Sequence, residues 1–149
     1  MIQNEKEKAL YEAAGRHYKA GFNCAESVFR AFCEELHLNV TPESLKVPAG
    51  FGGGMSFKEG PCGAATGGVM VLGILAGRTD PTQPKKPMKD LTFDFITQFQ
   101  EKFGGLSCGC LNPHENGSPE QKENCHAITA GAAALLMKFI EDRGLYSGT

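Results

Sequence analysis

Apolar side chains recur along this chain three and four residues apart, and no segment shows the strict alternation of a half-buried strand. Residues 5–20 combine Ala9, Tyr11, Ala13 and Tyr18 with good helix formers, and Gly21 closes the segment. A second helix starts near Asn23, where Cys24, Val28, Ala31, Phe32 and Leu36 follow the helical period. Thr41-Pro42-Glu43 reads as an N-cap, a first-turn proline and an acid at the positive end of a short helix that stops before Pro48. A glycine-rich loop follows at 49–55. Helical sequence resumes at Cys62 and runs to Gly77 almost without charge, which marks a buried central helix. Its glycines at 63, 67, 68, 73 and 77 cost helix propensity. The expected return is close approach of neighbouring backbones, or room for a cofactor. Residues 79–87 hold three prolines and read as a surface loop. Leu91, Phe95, Ile96, Phe99 and Phe103 place a helix over 88–103, ended by Gly104-Gly105. The stretch 106–117 is irregular. Ser118-Pro119-Glu120-Gln121 is a capping box with proline at the first helical position. It opens a last helix carrying Cys125, Ile128, Ala132, Leu135, Leu136 and Phe139. The expected architecture is all-α: a single domain over 1–149, built as a bundle of about five helices with the glycine-rich loop before the buried central helix.

Composition narrows the function. A chain of 149 residues buries a substantial core without disulfide staples. The formal net charge of -2, with no basic stripe, argues against a nucleic-acid partner. Residues 1–8 are charged and no apolar h-region follows them, which argues against a secretory signal. The longest apolar stretch, 64–76, is broken by Thr66, Gly67, Gly68 and Gly73 and is too short to span a bilayer. The expectation is therefore a cytoplasmic protein with neither a membrane nor a nucleic acid as partner.

In that compartment six cysteines become informative, because reducing conditions disfavour permanent disulfides and favour metal binding or redox chemistry. Free cysteines are also ordinary small core residues, and Cys33, mid-helix and nine positions after Cys24, reads that way. The others have recurring settings. Cys24 follows a predicted N-cap, Cys62 follows a glycine-rich loop and Pro61, and Cys125 lies in the first two turns of the last helix. Helix N-termini offer unpaired N–H groups and a favourable dipole for negative charge. Such a setting stabilises thiolate and suits an anionic iron–sulfur cluster. Cys108 and Cys110 sit on a loop able to close over the same end of the bundle. No C-x-x-C, C-x-x-C-H or ferredoxin-type run occurs.

The order Cys24, then Gly60-Pro61-Cys62-Gly63-Ala64-Ala65-Thr66-Gly67-Gly68, then Phe103-Gly104-Gly105-Leu106-Ser107-Cys108, then Cys125 resembles the redox-active family named for its C–GCAxxG–C–C cysteine pattern. The resemblance covers roughly residues 20 to 140. The literal string is absent: Pro61 stands in place of its first glycine and Gly63 separates Cys62 from Ala64. The resemblance implies four key cysteines, Cys24, Cys62, Cys108 and Cys125, with Cys110 as an extra thiol or a substitute for Cys108. The family is also similar to the helical iron–sulfur-binding part of split-Soret cytochromes c. This chain lacks their haem motif, so only the cluster role carries over.

Weaker signals have plainer readings. The glycines at 50 and 52–54 satisfy neither nucleotide-binding fingerprint; a loop that lets backbone approach the cysteines explains them. His114 and His126 neighbour Cys110 and Cys125, so a mixed zinc site is chemically open. His17 and His37 read as solvated, and Phe93, Phe95, Phe99 and Phe103 as core. The leading expectation is an electron-transfer protein with an Fe–S cluster on Cys24, Cys62, Cys108 and Cys125, and with Cys110 open as a further metal ligand. A thiol–disulfide oxidoreductase using the same cysteines in pairs comes second, and a zinc-stabilised helical interaction module third. An unidentified redox partner protein follows from the first, and a homodimer stays open.

Overall fold

The computed structural model describes residues 2–147. Five long helices dominate: α1 (Glu5–Ala20), α2 (Cys24–Glu35), α4 (Gly63–Ala76), α5 (Lys86–Phe103) and α7 (Pro119–Arg143). Two single turns, α3 (Gly52–Met55) and α6 (Cys108–Leu111), and a 3-10 segment over Ser44–Phe51 complete the order. The described residues hold no strand, only one antiparallel bridge between Pro61 and Ser107. The all-helical expectation therefore stands, with five long helices as read and two short ones added.

Local chemistry sets the boundaries. Asn4 caps α1 by accepting from the Glu7 N–H at 2.9 Å, and Gly21 ends the helix at φ 117°, a left-handed conformation that favours glycine. Ser118 caps α7 by accepting from the Gln121 N–H at 3.1 Å. The expected capping box is incomplete there, because Gln121 Oε1 takes the Gly117 N–H at 2.7 Å instead. The short helix expected to stop before Pro48 begins later, at Ser44, and continues through that proline to Phe51. Its i→i+3 bonding starts from the Thr41–Glu43 turn (Ser44 N–H to Thr41 O, 3.0 Å), and in so short a run a proline forfeits only one N–H.

All five long helices feed the same core. Leu10, Phe32, Leu72, Phe95, Phe99, Leu136, Met137, Phe139 and Ile140 are essentially inaccessible to water. Each such side chain contributes about 1.5–3 kcal/mol relative to an exposed one. Phe93 departs from its core reading: it is 72 % exposed, because it lies off the α5 face that carries Phe95 and Phe99. The glycines of α4 act by close approach. A Cβ at Gly67 would stand 2.7 Å from the Ala25 carbonyl of α2, and one at Gly68 would stand 2.9 Å from the Phe95 ring of α5. The central helix is buried over its first three turns, while Ile74 near its end is exposed. Among the described residues no helix is long and apolar enough to cross a membrane.

Candidate functional site

Four elements bring cysteines to one pocket. Asn23 caps α2 through a reciprocal box, accepting from the Glu26 N–H at 2.9 Å while Glu26 accepts from the Asn23 N–H at 3.0 Å. Its amide also donates to the Ala49 carbonyl at 3.0 Å, pinning the start of α2 to the 3-10 segment. Cys24 is thereby fixed as the first residue of α2. Cys62 is the N-cap residue of α4. A Cβ at Gly63 would overlap the Cys24 sulfur, so the absence of a side chain there lets the two cysteines meet.

A backbone clasp joins Cys62 to Cys108. The Cys62 N–H donates to the Leu106 carbonyl at 2.7 Å, the Cys108 N–H to the Gly60 carbonyl at 2.8 Å and the Gly109 N–H to the Lys58 carbonyl at 2.7 Å. Cys108 opens α6, which Ser107 caps. The glycine-rich segment packs underneath. Gly53 and Gly54 have φ of 62° and 69°, and a Cβ at Gly54 would stand 2.8 Å from the Gly60 carbonyl and 2.9 Å from Cys108 Cβ. Glycine here lets the backbone approach the cysteines, and the Gly53 N–H donates to the Cys24 sulfur.

The fourth thiol, Cys125, comes from α7. Its sulfur accepts from Asn112 Nδ2 at 2.6 Å and is hydrogen-bonded to the Tyr18 hydroxyl of α1. Cys24, Cys62, Cys108 and Cys125 together line a pocket of about 1020 Å³, whose wall also includes Tyr18, Asn112, His126 and Thr129. Cys110 is exposed and absent from this wall, with its sulfur turned to the Gly104 carbonyl at 4.0 Å. Cys33 is buried in the hydrophobic core, as its mid-helix position implied. His114 is exposed and lies outside the pocket, whereas His126 lines it, its ring seated against Gly15. His17 is half-buried rather than solvated: it bonds Glu34 at 2.8 Å and meets the Phe22 ring edge-on. Tyr18 and Asn112 carried no motif that would have singled them out in the sequence.

The thiols differ in proton affinity. Cys24 is lowered to about 6, chiefly because Cys62 hydrogen-bonds to it, with further N–H donors from Gly53, Ala25 and its own backbone opposing the cost of burial. Cys62 is pushed up, first by that same bond to Cys24, then by burial and by the charge on Cys24. Cys24 is thus the more acidic of the two. Burial raises Cys108, and the charge of Cys24 adds to this while Lys58 opposes it. Burial also raises Cys125, against the hydrogen bonds of Tyr18 and Asn112. The Tyr18 hydroxyl is raised by burial and by the neighbouring Cys125.

These donors can be tested against two kinds of metal group. Among the described residues no three His, Cys, Asp or Glu side chains converge tightly enough to hold one metal ion. A single zinc ion needs four donors in a closed tetrahedral shell. An iron–sulfur cluster distributes its cysteine ligands over several irons, so its thiolates stand around a volume rather than a point. Four soft thiols around one pocket match that donor set.

The chain matches the family described as "Putative redox-active protein (C_GCAxxG_C_C)" over residues 22–139, and it belongs to that family. It is 26% identical over 130 residues to an uncharacterized protein of Archaeoglobus fulgidus, an alignment covering 81% of this chain and 86% of the relative. No solved structure matches it significantly.

Proposed function

We propose that this redox-active family member carries electrons at an iron–sulfur site held by Cys24, Cys62, Cys108 and Cys125, for delivery to a protein partner. One observation carries the reading: four thiols from four separate elements line a single pocket. Cys24, Cys108 and Cys125 lie near enough to feel one another's charge. A cluster bound there supplies reversible one-electron transfer. The chain's own part is to supply soft anionic donors and hydrogen bonds to their sulfurs. The N-termini of α2 and α4 and the Gly53 N–H favour negative sulfur. The buried core beneath the pocket limits water on that side.

A second reading is favoured by the interaction between the Cys24 and Cys62 thiols, which lowers Cys24 and raises Cys62. In a dithiol mechanism the Cys24 thiolate attacks one sulfur of a partner disulfide and expels the other as thiolate. Cys62 then gives its proton to the expelled partner thiolate and attacks Cys24 Sγ, releasing the second partner sulfur as a thiolate that water protonates. The protein dithiol is oxidised to a Cys24–Cys62 disulfide and the partner disulfide is reduced to two thiols.

Purification without oxygen, with iron and sulfide analysis, separates the two. The cluster reading expects a brown protein with stoichiometric iron and sulfide, visible absorption that bleaches on reduction, and loss of both in C62S. Anaerobic reconstitution that incorporates neither iron nor sulfide overturns it in favour of the dithiol.

A further inference from the structure

We infer that Asn112 is a positioning residue of the cysteine site, whose side-chain amide holds the Cys125 sulfur as a hydrogen-bond acceptor and ties it to the turn bearing Cys108. The inference rests on the proposal that Cys125 does redox work, as a cluster ligand or, in a dithiol protein, paired with Cys108; it does not concern the Cys24–Cys62 pair.

Asn112 is 4% exposed and lines the pocket. Its Nδ2 donates to Cys125 Sγ at 2.6 Å and to the Gln121 carbonyl at 3.3 Å. A carbonyl only accepts, so the Gln121 contact fixes which end of the amide faces the sulfur. The Tyr18 hydroxyl is the second polar partner of the same atom. Both groups present a donor to the sulfur and work against the burial that raises its thiol.

The backbone of Asn112 completes the link. Its N–H donates to the Cys108 carbonyl at 2.9 Å, so this one residue touches both cysteine-bearing elements. Its Oδ1, by contrast, is buried with no hydrogen-bond partner. An orphaned buried acceptor costs stability, and an apolar side chain of similar size would spare the fold that cost. What the amide offers in return is its donor to sulfur. A donor stabilises electron-rich sulfur, which raises the potential of a cluster and, by favouring the reduced form, of a dithiol that includes Cys125.

The test compares midpoint potentials of the whole protein and its N112L, N112D and N124L variants. They are read from visible absorption if the wild type holds iron, or from the free thiols of Cys108 and Cys125, mapped by alkylation in a glutathione redox buffer, if it does not. Asn124 donates to the Leu111 carbonyl at 2.8 Å, so N124L loosens the same α6–α7 joint without touching a sulfur. The expected result is a shift to more negative potential in N112L, about tenfold in the exchange equilibrium, a larger shift in N112D, and none in N124L. N112D keeps the side chain's shape and carries the test if N112L fails to fold. Unchanged potentials in the Asn112 variants overturn the inference, and so does an equal shift in N124L, which would make the effect a general loosening. A wild type that takes up no iron refutes the cluster alone; the comparison is then decided on the Cys108 and Cys125 thiols, and the inference falls if these do not titrate as a pair.

Discussion

The thiols of Cys24 and Cys62 interact across the starts of two helices, which lowers Cys24 and raises Cys62. Because thiolate is the reactive form, alkylation of Cys24 in the reduced, iron-free protein should rise with pH around a midpoint of about 6. Cys33, raised by burial to about 11, should react only in strong alkali. C62A removes the donor and should move the Cys24 midpoint upward. A Cys24 midpoint at the ordinary thiol value of about 8.5 in the wild type would contradict the pairing.

The same shifts fix a pH dependence of stability. The folded value of Cys24 lies below its unfolded value, so its contribution is complete above about 8.5 and is lost as pH falls to about 6. Cys62 is raised, so its contribution is present below the ordinary value and lost as pH climbs past it. The pair should therefore be most stabilising near pH ~8.5. Denaturant midpoints measured across pH, wild type against C24A/C62A, would expose that maximum in their difference.

Two glycines of α4 should respond oppositely to alanine. G63A places a methyl group on the Cys24 sulfur and 3.1 Å from the Phe51 carbonyl, and should cost about 1–3 kcal/mol while abolishing the low Cys24 midpoint. G73A meets nothing within 4 Å and should stabilise by about 0.5–1 kcal/mol through helix propensity. Chemical denaturation of both variants checks the pair of signs.

Along α5, F95A should cost about 3–5 kcal/mol, since that ring is fully buried and edge-packed on Phe139 at 5.7 Å. F93A should change stability by no more than about 0.5 kcal/mol, because its ring is 72 % exposed. Equal losses in the two variants would show that Phe93 is covered in solution.

Among the remaining cysteines, C108S should lose bound iron while C110S and C33S keep it. Cys108 faces the pocket, Cys110 faces outward and Cys33 belongs to the core. Iron content after identical anaerobic preparations decides the matter, and loss of iron in C110S would reassign the fourth ligand.

Helices whose signals are local were readable in advance. α1 begins and ends where its composition and Gly21 place it, and the Asn23 cap of α2 is where the residue pattern put it. The same reasoning separated Cys33 from the other thiols by counting helical positions. It could not find α6, a turn containing Gly109, because that turn is held by the Gly60 and Lys58 carbonyls from a segment about fifty residues away. Tyr18 and Asn112 escaped for the same reason: each matters through a contact with Cys125, and neither lies beside it in sequence. Pro48 misled because a proline that ends an α-helix is tolerated in a short 3-10 run.

The pocket draws its thiols from positions 24, 62, 108 and 125, and the last of them arrives on the final helix. During synthesis, which delivers the N-terminal part first, α1, α2 and α4 emerge with open apolar faces, the sulfurs of Cys24 and Cys62, and no fourth wall. Only docking of α7 against α1 brings Cys125 and seats Tyr18 upon it. Anything the site holds must enter after the chain is nearly finished, or wait, loosely tethered, for the last helix to shut it in.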